Sequence, residues 1–172
     1  MRPDSSREVF RGIVVRVEEE SWGDDTWEIV RHPGAAAVLP LTPTGEVILV
    51  RQLRRSVRRT LLEVPAGLLD VENEEPIDAA RRELLEETGY RAARIRSLGS
   101  FLASLGFTDE IFHLFAAETD PEPSAEPEEG IELVRMPFAE AVRAARDGRL
   151  ADVKSALSIM LTAADPVSIN GP

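Results

Sequence analysis

Three glutamates in the stretch RRELLEETGY, residues 81–90, have the spacing to bring their carboxylates together. Glu83, Glu86 and Glu87 would lie on one face of a helix, within an arc of about 100°. Like charges at this spacing repel by roughly 0.2–0.5 kcal/mol per pair on an exposed helix. A hard cation such as Mg²⁺ would offset the repulsion, because it binds carboxylate oxygens and commonly joins them to substrate phosphates. The alternative interpretation is a solvated acidic helix face without a ligand.

The helix that must carry these glutamates has recognisable ends. Pro76 suits the first turn of a helix and Gly89 suits the residue that ends it, so the sequence predicts a helix from Pro76 to about Thr88. Two further helices are predicted at 138–148 and 153–164.

Strands account for most of the remaining chain. They are predicted at 8–20, 26–32, 34–41, 46–53, 94–104, 110–118 and 131–136. The first two are expected to pair as an amino-terminal β-hairpin. Strands and helices mixed without a regular βαβ alternation predict an α/β (α+β) fold, in which helices flank a mixed β-sheet. We expect residues 1–33 to form the amino-terminal strands and residues 34–172 the main domain.

Composition narrows the possible partners. The chain carries 20 Lys and Arg against 31 Asp and Glu, a net charge of −11, which argues against binding to nucleic acid or to an anionic membrane. There are no cysteines, which excludes disulfides and thiolate metal sites and fits a reducing compartment. We therefore expect a cytoplasmic protein that binds neither nucleic acid nor membranes.

The residues around the glutamates extend the pattern. Upstream lies EVPAGLLD, residues 63–70, and the matching positions that follow are Gly67, Glu74, Arg82, Glu83, Leu84, Glu86, Glu87, Gly89 and Tyr90. This arrangement resembles the box of the Nudix hydrolases: a glycine, five residues, a glutamate, seven residues, then R-E-U-x-E-E-x-G-U, where U is bulky and apolar. One departure is visible, because six residues rather than five separate Gly67 from Glu74. The insertion lies in a turn away from the glutamates.

The flanking sequence resembles the ADP-ribose pyrophosphatases of that family. The similar segments are WEIVRHPGAAAV (27–38), VRQLR (50–54), LLEVPAGLLD (61–70) and LGFTDE (105–110). Leu105 departs from the subgroup, which usually has proline there. The resemblance implies a Nudix α/β/α sandwich, a homodimer, and hydrolysis of ADP-ribose to AMP and ribose 5-phosphate. Hydrolysis of other nucleoside diphosphate sugars and a silent nucleotide-binding module are the alternatives.

The resemblance also implies roles for the residues of the box. Glu83, Glu86 and Glu87, with the carbonyl of Ala66, are the expected ligands of Mg²⁺, for which Mn²⁺ is a possible substitute. Arg82 is expected to orient a ligand carboxylate through a two-point contact. Glu86 and Arg82 are thereby counted among the catalytic residues.

Further positions correspond to the substrate site of relatives. Arg54 is expected to grip the diphosphate, while Leu68 and Ser104 line the site. Trp27 is expected to stack on adenine with Glu28 hydrogen-bonding the base edge; the alternative is that Trp27 serves ordinary core or hairpin packing.

The attacking water needs a base. Relatives carry a glutamate on the loop before the last strand, and alignment on IELVRM (131–136) indicates Glu129, with Glu128 as the near alternative. The competing interpretation is that this acidic stretch is a solvated linker.

Overall fold

A computed structural model describes residues 1–165 of the chain. The amino-terminal part forms a three-stranded antiparallel sheet of β1 (Ser5–Arg11), β2 (Arg16–Trp22) and β3 (Asp25–Arg31). The second sheet contains β4 (Ala35–Leu41), β5 (Glu46–Arg54), β6 (Arg59–Glu63), β7 (Ala66–Leu68), β8 (Ala92–Leu102), β9 (Ile111–Thr119) and β10 (Glu132–Pro137). The helices are α1 (Pro76–Thr88), α2 (Phe138–Arg146) and α3 (Val153–Ala164).

The larger sheet is mixed, as expected. Its strand order is β10-β5-β4-β9-β8, with β6 paired to β5 and β7 paired to β4. The pairing of β4 with β9 is parallel, and the other pairings are antiparallel. β4 is buried along its whole length, which explains its continuous apolar sequence AAAVLPL.

Alternate residues of β4 face opposite layers. Ala37 and Leu39 belong to a core with α2 and α3, whereas Ala36 and Val38 belong to a core with α1. The sheet therefore lies between one helix on one face and two on the other, which confirms the predicted α/β/α sandwich.

The amino-terminal region differs from the sequence prediction. Residues 8–20 were expected to form a single strand, and this is wrong: the chain reverses at 12–15, where the Gly12 N–H donates to the Val15 carbonyl at 2.8 Å. β1 therefore folds back on β2, and the expected hairpin of β2 and β3 gains a third strand.

The loop before β9 joins the two sheets. The Val30 N–H donates to the Phe107 carbonyl at 2.7 Å, and the Asp109 N–H donates to the Val30 carbonyl at 3.3 Å. The Arg31 guanidinium contacts the carboxylates of Glu18, Glu20 and Asp109. This contact fixes the end of β3 against the loop that contains Ser104.

Among the described residues, no helix is long and apolar enough to cross a membrane.

The carboxyl end of α1 binds the acidic loop between β9 and β10. Gly89 ends the helix with φ of +75°, its N–H donating to the Leu85 carbonyl at 2.8 Å. The Gly89 carbonyl accepts from the N–H of Ser124 at 2.8 Å, and the Glu86 carbonyl accepts from the N–H of Glu128 at 2.8 Å. The loop is exposed, as its composition predicts, yet its backbone is tied to the helix.

Gly89→Ala should separate this docking from ordinary backbone strain. A Cβ at Gly89 would lie 2.0 Å from the Ala125 carbonyl oxygen. Gly148 is the matched control, because it has a similar φ of +78° but no heavy atom within 4 Å of its Cβ position. We expect Gly148→Ala to lower the free energy of unfolding by about 1 kcal/mol, from the left-handed conformation alone.

We expect Gly89→Ala to cost clearly more and to make the loop sensitive to limited proteolysis. Urea unfolding measures the loss in free energy of unfolding. Equal costs for the two variants, with an intact loop, would contradict the docking.

Candidate active site

The carboxylates of α1 pack against the backbone of β7. A Cβ added at Gly67 would lie 2.0 Å from Oε1 of Glu83, so a side chain at this position would displace the carboxylate. The Ala66 N–H donates to Oε2 of Glu87 at 3.1 Å. Ala79, Ala80 and Leu84 anchor the opposite side of the helix in the core. The sequence therefore presents one apolar face to the sheet and lays acidic side chains along β7.

Arg82 links three carboxylates. Its Nε and Nη2 donate to the two oxygens of Glu74, both at 3.0 Å. Its Nη1 donates to Glu83 at 2.5 Å and to Glu86 at 3.1 Å. The hydrogen bond with Glu74, followed by those with Glu83 and Glu86, raises the pKa of Arg82 above its ordinary value. Arg82 thus contacts two of the glutamates predicted as ligands, and Glu74 fixes its direction.

Glu87 is the most deeply buried of the three glutamates, with 6% of its surface exposed. Burial raises its pKa from the ordinary 4.5 to about 7, and the nearby charges of Glu83 and Glu128 add to the rise. The Ala66 N–H and the charge of Arg54 act in the opposite direction. Burial also raises the pKa of Glu83, against the hydrogen bond from Arg82. Burial therefore disfavours full ionisation of Glu83 and Glu87 in the metal-free protein.

This donor set suits a hard divalent cation. Glu83 and Glu87 are mutually repelling carboxylates with raised pKa, and Glu86 is half exposed beside them. Oxygen ligands of this kind are those that Mg²⁺ prefers. Within residues 1–165, no three or more His, Cys, Asp or Glu side chains are arranged so that they could hold a metal ion together. Arg82 and the Ala66 N–H contact these carboxylates.

The acidic loop brings Glu128 close to the carboxylates of α1. The backbone of Glu128 is bonded to Glu86, and its charge raises the pKa of Glu87. Both Glu128 and Glu129 are exposed.

Arg54 lies beside the same cluster in a pair with Glu63. Nε and Nη2 of Arg54 donate to the two Glu63 oxygens at 2.8 and 2.7 Å, and Glu63 is 1% exposed. The charge of Glu87 contributes to the raised pKa of Arg54, after the leading hydrogen bond with Glu63. Arg54, the residue predicted to bind the substrate diphosphate, is therefore close to the carboxylate of Glu87.

The remaining predicted site residues lie outside the carboxylate cluster. Trp27, half exposed, and Glu28 are on β3 of the amino-terminal sheet, opposite Glu20 and Glu19 of β2. Leu68 lines a pocket of about 330 Å³ between the two sheets. The pocket is also lined by Ile13, Val14, Arg16, Arg31, His32, Pro33, Asp70 and Asp109. The carbonyl of Ser104 accepts from the N–H groups of Phe107 and Thr108 in the joining loop.

Sequence reasoning missed Glu63 and the steric reason for Gly67. Glu63 is an acid within the apolar run LLEVPAG, which is the one signal that could have singled it out. Its partner Arg54 is identifiable only once β5 and β6 are paired.

Glu87→Gln should change how the stability of the metal-free protein depends on pH. A folded-state pKa of about 7 against 4.5 means that the folded wild type binds more protons than the unfolded chain between these values. Its free energy of unfolding should therefore fall as pH rises from about 4.5 to 7, and level off above. The variant lacks this loss, so its gain over the wild type should reach up to about 3 kcal/mol at pH 8.

The gain should shrink toward zero as pH falls to 4.5 and below. Urea unfolding in EDTA across this range measures both proteins. A wild type with the same pH dependence as Glu87→Gln would contradict the buried-carboxylate account.

Comparison with known proteins agrees with this geometry. The NUDIX domain model matches residues 30–156. The chain is 40% identical over 136 residues to the ADP-ribose pyrophosphatase of Bacillus subtilis, covering 77% of this chain and 73% of that protein. It is 35% identical over 163 residues to the methanol dehydrogenase activator of Bacillus methanolicus, covering 90% and 88%. It is 38% identical over 136 residues to the GDP-mannose pyrophosphatase of Yersinia enterocolitica, covering 73% and 70%.

A solved structure shares the fold. The crystal structure of an ADP compounds hydrolase superposes with a TM-score of 0.78 at 22% identity, covering 95% of this chain and 94% of that one. The family match covers most of the chain and includes the whole glutamate cluster. The chain therefore belongs to the Nudix hydrolase family and is an enzyme of the Nudix diphosphatase type.

Proposed function

We propose that the protein hydrolyses ADP-ribose to AMP and ribose 5-phosphate with Mg²⁺, for which Mn²⁺ can substitute. The observation that carries the chemistry is the partly buried Glu83 and the buried Glu87, which pack against Gly67 and Ala66. The name of the relative at 40% identity supports the choice of ADP-ribose. We place the reaction in the cytoplasm, whose reducing conditions agree with a cysteine-free sequence.

Glu83, Glu86, Glu87 and the Ala66 carbonyl would hold the cation. When bound, it would polarise the phosphoryl oxygens, lower the pKa of the attacking water and offset charge on the leaving phosphate. The protein contributes mainly by positioning the reactants and stabilising charge. Water attacks one phosphorus atom, and the bond from that phosphorus to the bridging oxygen breaks. Arg54 would orient the diphosphate.

Another nucleoside diphosphate sugar is the second candidate substrate. Leu105 stands where the resembling subgroup usually has proline, and its side chain is exposed in the joining loop. A relative is named a GDP-mannose pyrophosphatase. A silent binding module, the third possibility, is disfavoured because every box glutamate is present.

A hydrolysis panel tests the proposed reaction. ADP-ribose should be cleaved fastest among ADP-ribose, ADP-glucose, GDP-mannose and UDP-glucose in Mg²⁺, and EDTA should abolish the activity. Glu83→Gln should reduce turnover by orders of magnitude while circular dichroism shows an unchanged fold. Preference for GDP-mannose would select the second candidate, whereas no hydrolysis of any member would overturn the proposal.

The base is proposed to be Glu128 or Glu129. Alignment favours Glu129, and the backbone bond of Glu128 to Glu86 favours Glu128. The matched pair Glu128→Gln and Glu129→Gln decides between them, because loss of the base should lower kcat strongly with little change in KM. Wild-type rates in both variants would leave the loop without a base.

A homodimer is proposed from the exposed apolar surface of the amino-terminal sheet. Its large exposed apolar side chains are Val9, Phe10, Ile13, Val14 and Trp27. A twofold interface would cover this surface. In such a dimer, residues 1–33 would serve as a pairing element, and Trp27 of one chain would stack on adenine bound mainly by the other.

Trp27→Ala should then weaken substrate binding by roughly 1–3 kcal/mol, the range for base–aromatic stacking, seen as a raised KM. Light scattering should show a dimer for the wild type. An active monomer would contradict the shared site, and a dimer with unchanged KM in Trp27→Ala would assign the tryptophan to packing alone.

A further inference from the structure

A buried ion-paired cluster adjoins the α1 carboxylates and connects three elements of the fold. Arg54 at the end of β5 pairs with Glu63 at the end of β6 through both carboxylate oxygens. Nζ of Lys154, in the first turn of α3, lies 3.7 Å from Oε2 of Glu63 and 2.6 Å from Oδ1 of Asp152. We call these four residues the Glu63 cluster.

Glu63 is enclosed more completely than its partners. It is 1% exposed, whereas the side chain of Arg54 is 38% exposed. A carboxylate this deeply buried is costly to leave without partners, and Arg54 and Lys154 supply them. The pair is thus anchored on the Glu63 side and open on the Arg54 side.

The helix α3 holds the far side of the cluster. Asp152 caps α3, accepting from the N–H of Ser155 at 3.0 Å, and Oγ of Ser155 accepts from the N–H of Val64 at 2.8 Å. Nζ of Lys154 also lies 5.5 Å from the centroid of the Phe112 ring. Val64, which follows Glu63 in the chain, and the ring of Phe112 therefore both contact the first turn of α3.

This anchoring determines which edge of Arg54 remains available. A guanidinium has five N–H donors in one plane. The bonds to Glu63 use Nε and Nη2, so the donors of Nη1 lie outside the two-point contact. Because the group is planar, fixing one edge also fixes the direction of the others.

We propose that Glu63 is a positioning residue for substrate binding, which holds Arg54 so that its remaining donors face the substrate diphosphate. Lys154 and Asp152 in turn fix Glu63 from α3. This inference rests on the proposed role of Arg54 as a ligand of the diphosphate.

Arg51 and Glu132 provide a matched control on the same strand. Nε of Arg51 lies 3.1 Å from Oε1 of Glu132, whose side chain is 65% exposed where that of Glu63 is 2% exposed. Loss of this pair removes an arginine–carboxylate contact of β5 without touching the Glu63 cluster.

The test is a double-mutant cycle read by binding rather than turnover. The probe is the non-hydrolysable α,β-methylene analogue of ADP-ribose, titrated calorimetrically at fixed Mg²⁺. Arg54→Gln and Glu63→Gln should each raise Kd at least tenfold, and the double variant should bind no more weakly than Arg54→Gln alone. Glu132→Gln should stay within twofold of the wild type.

A Kd within twofold of the wild type for Glu63→Gln, or losses that multiply in the double variant, would overturn the inference. A purely structural pair would lower Tm in Glu63→Gln and leave Kd unchanged. If Glu63→Gln fails to fold, Arg54→Lys decides, because lysine keeps the charge but cannot make the two-point contact. It should bind as weakly as Arg54→Gln, and near-wild-type binding would overturn the inference.

The outcome is separable from that of the proposed function. Wild-type binding by Arg54→Gln would defeat the role of Arg54 and this inference together, even with hydrolysis intact in the wild type. Failure of the wild type to hydrolyse any nucleotide sugar would defeat the proposed function, whatever the binding cycle shows.

Discussion

The structure depends on keeping two like-charged carboxylates close together and largely out of water. Glu83 and Glu87 are held between α1 and the backbone of β7, where Gly67 leaves the space and the Ala66 N–H supplies a donor. Burial of this kind disfavours the charged form of a carboxylate, and the raised pKa of both groups expresses the cost. A divalent cation would remove that cost in the bound state. The arrangement is thus less favourable to the free protein than to its complex with a cation.

The rest of the fold can be understood as support for this arrangement. The completely buried strand β4 pairs with β7 and packs under α1, so the helix and the strand that enclose the carboxylates share one rigid neighbour. Arg82 supplies positive charge from the helix itself, and Glu74 holds it there through two hydrogen bonds. The acidic loop adds Glu128 to the same region through backbone bonds to the end of α1.

Local signals in the sequence were sufficient for the helix and the central strands. Pro76 and Gly89 bound α1 as predicted, and the apolar runs of β4 and β5 match strands buried on both faces. The prediction of a single strand at 8–20 was wrong because Ile13, Val14 and Val15 have high strand propensity. The turn there is closed by a backbone hydrogen bond from Gly12 to Val15, which residue propensities do not reveal. Local sequence patterns could not predict two contacts, that of Arg54 with Glu63 and that of Glu128 with Glu86. Each contact joins segments whose proximity exists only in the folded sheet.

The central claim is that Glu83 and Glu87 form a divalent cation site. The most direct measurement is the binding of Mn²⁺ to the protein without substrate, followed by electron paramagnetic resonance of the free ion. Wild type should bind Mn²⁺ with saturation, and the double variant Glu83→Gln, Glu87→Gln should lose that binding. The control Glu118→Gln, which removes a partly buried acid of β9 paired with Arg94, should retain it. Equal Mn²⁺ affinity in the wild type and the double variant would contradict the claim.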